Sequence, residues 1–227
     1  MAGVKYIPQV VLVVLLLCLI QLTAACGSVE KERTAEVGYS VTDITGRTIH
    51  FDAPPQRIVT LSSTLDQIVL SVAPPERMVA INASMKEHIN SNMVGIADQV
   101  EETMQRPSVE YIVALHPDVV LIADWQYLEL ADPLRDAGLK VVIGRGPHNL
   151  AEVRDLVRLT TDAIGEHRRG DILLRKMDEK LAEITEKVQA IPENERKTVV
   201  FLSLMPSYGG IGSSFDDACH YAGVING

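Results

Sequence analysis

Cysteine is scarce in this chain: three among 227 residues, at positions 18, 26 and 219. None belongs to a C-x-x-C pair or a Cys/His cluster, so the usual structural zinc sites are excluded. The six histidines follow no ligand spacing either, and no metal is expected to bind directly. Basic residues are in deficit, 21 Lys and Arg against 30 Asp and Glu for a formal charge of −9. A nucleic-acid partner would want a basic stripe, and there is none. Long apolar runs are also lacking. Val10 to Ile20 is unbroken but only eleven residues long, whereas a membrane-spanning helix needs about 20. Catalytic signatures are weak. Ser62 and Ser63 have no nucleophile-elbow glycines around them. Gly144-Arg-Gly146-Pro-His-Asn149 has the outline of a dinucleotide loop, but Asn149 stands at the third glycine and Pro147 removes a donor. No catalytic residue and no cofactor is assigned, and the chain is read as a non-enzyme.

What is present begins with a processing signal. Lys5 supplies a positive start, the eleven-residue apolar run follows, and the run closes in Leu22-Thr23-Ala24-Ala25-Cys26. Small residues before a cysteine suit lipoprotein processing after Ala25, with lipid carried on Cys26. Residues 1–25 are therefore expected to be a signal peptide, and 26–38 an acylated cysteine with a polar tether. Acyl chains on Cys26 would hold the protein at the extracytoplasmic face of the cell membrane. An ordinary secretory peptide with an accidental cysteine is the alternative. In the processed chain only Cys219 remains free, so no intramolecular disulfide is possible, and loss of Lys5 takes the charge from −9 to −10.

From Tyr39 to Phe51 the pattern reads as a β-hairpin turning at Asp43 to Gly46. Strands and helices then alternate: strands at Arg57–Leu61, Met78–Ile81, Met93–Ile96, Val119–Ala123 and Lys140–Ile143, helices at Thr64–Val72, Val109–Leu115 and Leu128–Ala137. Strands apolar on both faces between helices predict an α/β fold with a mainly parallel sheet, over 39–148. A helical region, 149–192, follows. Apolar residues at 174, 177, 181, 184, 188 and 191 predict one long helix, Asp171 to Ile191, packed along a face of the molecule. The stripe covers too few heptads for a convincing coiled coil. Residues 197–227 offer one strand, Thr198 to Leu204, and one helix, Phe215 to Ala222. These cannot bury a core of their own, so a truncated second lobe is expected.

Arg106-Pro-Ser-Val-Glu-Tyr-Ile-Val-Ala-Leu-His-Pro-Asp-Val-Val-Leu-Ile-Ala-Asp-Trp125 closely resembles the P-S-x-E-x-I-x-x-L-x-P-D-L-V segment of the iron-siderophore, haem and cobalamin receptors of bacterial ABC importers. Tyr39 to Gly46, Gln56 to Ser63, Arg77 to Ile81, Val94-Gly95, Gly138 to Val142 and Gly212 to Gly223 resemble further segments of that family in the same order. The resemblance implies a two-lobe periplasmic-binding-protein fold joined by one long helix, with lobe one complete here and lobe two mostly missing. It implies an ABC permease and its ATPase as partners, and a small-molecule chelate or macrocycle as ligand. It also implies that Glu110 docks on the permease; as a plain first-turn acid the residue would equally suit a helix N-terminus. In parallel α/β sheets ligands meet the loops after the strand C-termini. That rule selects Ser62, Ser63, Thr64, Asn82, Trp125, Gln126, Tyr127, Arg145 and His148, with Tyr208 facing them from the second lobe. Trp125, the only tryptophan, suits either a flat ligand platform or ordinary packing. A second class of function is a lipoprotein interaction or sensor module that reuses the lobe without transport.

Overall fold

The computed structural model describes residues 38–202 and 209–227. The expected signal peptide, the lipidation site Cys26, and Met205 to Tyr208 of the second-lobe loop lie outside the described residues. An antiparallel hairpin opens the fold, β1 (Tyr39–Thr42) against β2 (Thr48–Phe51), with Tyr39 opposite Phe51. Its turn is built on Asp43, whose buried carboxylate accepts the backbone N–H groups of Thr45 and Arg47 and pairs with Arg135 at 3.0 Å.

Five strands form the central sheet: β3 (Ile58–Thr60), β4 (Met78–Asn82), β5 (Thr103–Met104), β6 (Val119–Ala123) and β7 (Val141–Gly144). Their order is β5-β4-β3-β6-β7, and every neighbouring pair is parallel. Helices supply the crossovers: α1 (Ser63–Val72), α2 (Val94–Ala97), α3 (Val109–Ala114) and α4 (Ala131–Asp136). Alternate residues of each strand enter opposite cores. On one side Ile58, Ile81, Leu121 and Val142 pack with Leu65, Val69 and Val72 of α1. On the other, Val59, Ala80, Val120, Ile122 and Val141 pack with Ile112 of α3 and Leu134 of α4. All five residues of β6 and all four of β7 are buried, as strands covered on both faces must be. This is the α/β class, with a parallel sheet, that the alternation predicted.

Two local expectations are corrected. Met93–Ile96 is not a strand; Val94 and Ala97 are buried three residues apart, and the segment closes as the single helical turn α2. The edge strand is instead β5, two residues whose pairing (Ile81 opposite Thr103) carries no periodic signal. The long helix also starts earlier. After α5 (Leu150–Ala163), α6 runs from His167 to Gln189, 23 residues or about 34 Å. Gly170 lies within it, in the first turn. A Cβ there would stand 2.3 Å from Thr161 Oγ1, so glycine is what lets α5 and α6 touch. Buried Arg77 locks this corner: it donates to Pro55 O, to Ile164 O at 2.6 Å and to Glu166 at 2.5 Å. Only Gly170 and Leu174 of α6 are buried, and Met177, Leu181, Ile184 and Val188 stay half-covered. Beyond it, β8 (Thr198–Val199) pairs in parallel with β9 (Ile225–Asn226), and α7 (Ser214–Ala222) packs on α6.

Candidate ligand site at the strand switch

The chain winds from β3 through β4 to β5 on one side, then returns to place β6 and β7 on the other. The reversal falls between β3 and β6, which pair directly (Thr60 opposite Leu121). In open α/β sheets the loops diverge at such a point and leave a crevice beyond the strand C-termini. Ser62 to Thr64 border it on the β3 side, and Asp124 to Tyr127 on the β6 side. Asn82 lies one strand out beyond β3, and Arg145 one strand out beyond β6.

On the β6 side the backbone turns at once. Gln126 N–H donates to Ala123 O at 3.1 Å, which lifts Trp125 to the tip of a tight turn. Asp124 ties this turn to the next strand: its N–H donates to Gly144 O at 2.9 Å, and its Oδ1 accepts Gly146 N–H at 2.7 Å. The indole rests over Gly146, where a Cβ would come within 2.6 Å of it. Trp125 is nonetheless 48% exposed. It is seated on backbone from below and open to solvent above. Tyr127 is placed differently. It has φ +58, packs at the edge of the second core, and its hydroxyl makes a long bond, 3.4 Å, to Gln105 O. Strained backbone of this kind persists only where surrounding packing holds it.

The β3 side is more committed to structure. Ser62 is buried, and its hydroxyl caps α1 by accepting Leu65 N–H at 3.3 Å. Ser63 and Thr64, in the first turn of α1, are half-buried. Asn82 caps the next turn, its Oδ1 accepting both the N–H and the hydroxyl of Ser84. Beneath both loops lies Asp66, fully buried in α1. Its Oδ1 takes the Thr60 hydroxyl and its Oδ2 takes Asn82 N–H at 2.9 Å. Burial pushes this carboxyl up to about 7 against the pull of those two donors.

Arg145 is exposed and borders a cavity of about 270 Å³ shared with Ile44, Glu152 and Leu156. His148 belongs to the start of α5 rather than to the crevice. Its N–H and ring both meet Glu152 Oε2, at 2.7 and 3.1 Å, and the His148 N–H holds the Glu152 carboxyl below its usual range. Glu110 stands fully exposed in the first turn of α3, where its own backbone N–H, then Ser108, keep the carboxylate below the usual range. Among the described residues no three His, Cys, Asp or Glu side chains converge as a metal site would require. The sequence pattern assigns no ligand-site role to Asp66, Asp124 or Gly146. A lone acid on the apolar face of α1 was the signal for the first; the other two meet only in the fold.

A parallel, doubly wound sheet with a half-open aromatic at its switch point defines an α/β ligand-binding domain. A family model described as periplasmic binding protein matches residues 58–226, and the chain belongs to that family, one of binding proteins rather than enzymes. It is 25% identical over 194 residues to the ABC transporter substrate-binding lipoprotein YvrC of Bacillus subtilis, itself uncharacterized, covering 81% of this chain and 60% of that one. The fold is also that of a periplasmic heme-binding protein from Pseudomonas aeruginosa, with TM-score 0.58, 18% identity and coverage of 76% and 62%. The molybdate-binding protein MolA of Haemophilus influenzae superposes with TM-score 0.65 at 17% identity, covering 83% and 65%. The chain thus spans about 60% of the length of the first curated relative and 56% of the second.

Proposed function

We propose that this chain is the anchored, first-lobe part of an extracytoplasmic solute receptor that hands an iron-siderophore, haem or cobalamin-type ligand to an ABC importer. The observation that carries the reading is Trp125, half-exposed at the β3/β6 switch and seated on Gly146. A flat indole face suits a macrocycle or catecholate ring, which stacks with centroids 4.5–7 Å apart. A tetrahedral oxyanion of the kind MolA binds would instead want converging N–H donors. Ser63, Thr64 and Gln126 are proposed to bond the periphery of the ligand, and Arg145 to offset an anionic group. Glu110 is the proposed contact to the permease, and Cys26 the proposed membrane anchor, the domain division being 26–38 tether, 39–148 lobe, 149–192 bridging helices and 197–227 second lobe. The names of the relatives, both ABC substrate-binding lipoproteins, support this reading.

Titration with haemin, ferric siderophores and cyanocobalamin, followed by Trp125 fluorescence, tests it. One member of the panel is expected to quench the emission, and Trp125→Ala to weaken its binding by about 1–3 kcal/mol, as loss of a buried anchor does. Absence of quenching by every member, or an unchanged affinity in the variant, would sink the assignment. An N-terminal peptide carrying unmodified Cys26 in the native host would remove the anchor.

A further inference from the structure

Asp66 is fully buried and held by neutral donors, whereas Asp43, whose carboxylate is buried as deeply, is paired with Arg135. It also sits where three elements meet. Thr60 is the last residue of β3, Asn82 the last of β4, and Asp66 lies in the first turns of α1. One carboxyl therefore bonds both strand ends immediately below the loops Ser62–Thr64 and Asn82–Ser84. Its own N–H completes the junction by donating to Ser62 O at 3.0 Å.

No charge on the surrounding elements faces it. α1 has no other titratable residue, and β3, β4 and β6 have none. On the turn after β4, Lys86 spends its amine on Val100 O at 2.6 Å. On α6, Arg169 donates to Val72 O at the far end of α1, beside Glu166. On α5, Arg154 is held by Asp178 and Arg158 by Asp155, while Asp162 pairs with His167 and Glu152 with His148. Asp124, after β6, is turned to Gly146 N–H. A carboxylate in this position has two neutral donors and no counter-ion, so burial, opposed only by those two donors, sets its balance between charged and neutral forms. The charged form makes two ion-assisted bonds, roughly twice the strength of neutral ones. Protonation at Oδ1 reverses the Thr60 bond and weakens the hold on Asn82.

We propose that Asp66 is the positioning residue of the crevice, binding the β3 and β4 loops into one wall when ionised and loosening both together when protonated. The idea rests on the crevice being the ligand site, but its test requires no ligand. In the full chain, the Asn82 amide is expected to titrate by NMR with an inflection near neutrality, which Asp66 at about 7 would impose. Exchange of residues 61–65 and 82–85 through local openings that keep Asp66 buried, corrected for intrinsic rates, is expected to slow several-fold in concert between pH 6 and pH 8, although global unfolding becomes easier over the same window. Asp66→Asn should abolish both effects. Thr60→Val, which removes one donor to the ionised form, should move the Asn82 inflection upward, and it keeps the test open if the Asn variant does not fold. A flat Asn82 titration, an inflection that survives Asp66→Asn, or loops that change protection independently would each overturn the proposal. Failure of the chelate panel to bind would count against the ligand site alone.

Discussion

Replacing Gly146 by alanine separates a displaceable ligand platform from a packed core tryptophan. The added Cβ would stand 2.6 Å from Trp125 Cε3 and 3.2 Å from both Cζ3 and Asp124 Oδ1. Ordinary contact begins at 3.4 Å, so the ring edge must retreat by about 0.8 Å. Gly146 is not among the glycines of positive φ, and its N–H stays on Asp124 Oδ1, so the backbone has no reason to move. Inside a rigid core such overpacking costs about 1–3 kcal/mol. Trp125 is half-exposed and free to swing toward solvent, at the cost of an off-rotamer side chain, about 0.5–1.5 kcal/mol. The expected loss of stability is therefore about 1 kcal/mol, read as a small shift of the urea midpoint at unchanged slope. Because Trp125 is the only tryptophan, its emission reports the displacement directly: a red shift and readier quenching by acrylamide. Ligand affinity in the variant should fall with that displacement. Unchanged emission and quenching would show that the indole does not rest on Gly146. A stability loss of several kcal/mol would show that the 124–127 turn is rigid core and no platform.

Arg77→Met should destabilise the domain by about 3–5 kcal/mol in urea unfolding, since it leaves the carbonyls of Pro55 and Ile164 without their donor and Glu166 with only the more distant Arg169, at 3.6 Å; a loss below 1 kcal/mol would dismiss the clamp. Asp66 predicts the pH dependence of stability. Its folded value, about 7 against an ordinary 3.8, lies above the unfolded one, so its contribution is whole below about pH 4 and is lost as pH rises through 7. At about 1.4 kcal/mol per unit, some 4 kcal/mol is lost across that window, and Asp66→Asn should flatten the slope; equal slopes in the two proteins would refute this. Glu110→Lys should depress transport in cells supplied with the cognate permease while leaving ligand binding intact, because reversing an exposed charge disturbs docking alone; parallel loss of both activities would make Glu110 a structural residue.

Much of this molecule is legible locally. Helices α3 and α5 start on local chemistry: Ser108 before Val109, and Asn149 before Leu150, each accept an N–H three residues on with a side-chain oxygen. The apolar run Val119–Ala123 predicts a strand buried on both faces for the same kind of reason: its residues leave no polar face to show to water. Those signals marked the loops after β3, β4, β6 and β7, and with them Trp125 and Ser62. They did not reveal β5, whose two residues owe their conformation to Ile81 and Asn82 across the ladder. Nor did they show what each loop residue does once placed. Ser62 faces inward as a cap and His148 turns to Glu152, whereas Trp125 stays open because Gly146, twenty-one residues later, lacks a side chain. Asp66 reads in sequence as an acid in an amphipathic helix. Its character comes from Thr60 and Asn82, brought to it from two strands, and from the absence of any cation nearby. Local hydrogen bonds and periodicity are properties of neighbouring residues, so the sequence alone determines where elements begin and what they bury. The environment of a side chain is set by whatever the fold carries next to it, and only the tertiary structure decides that.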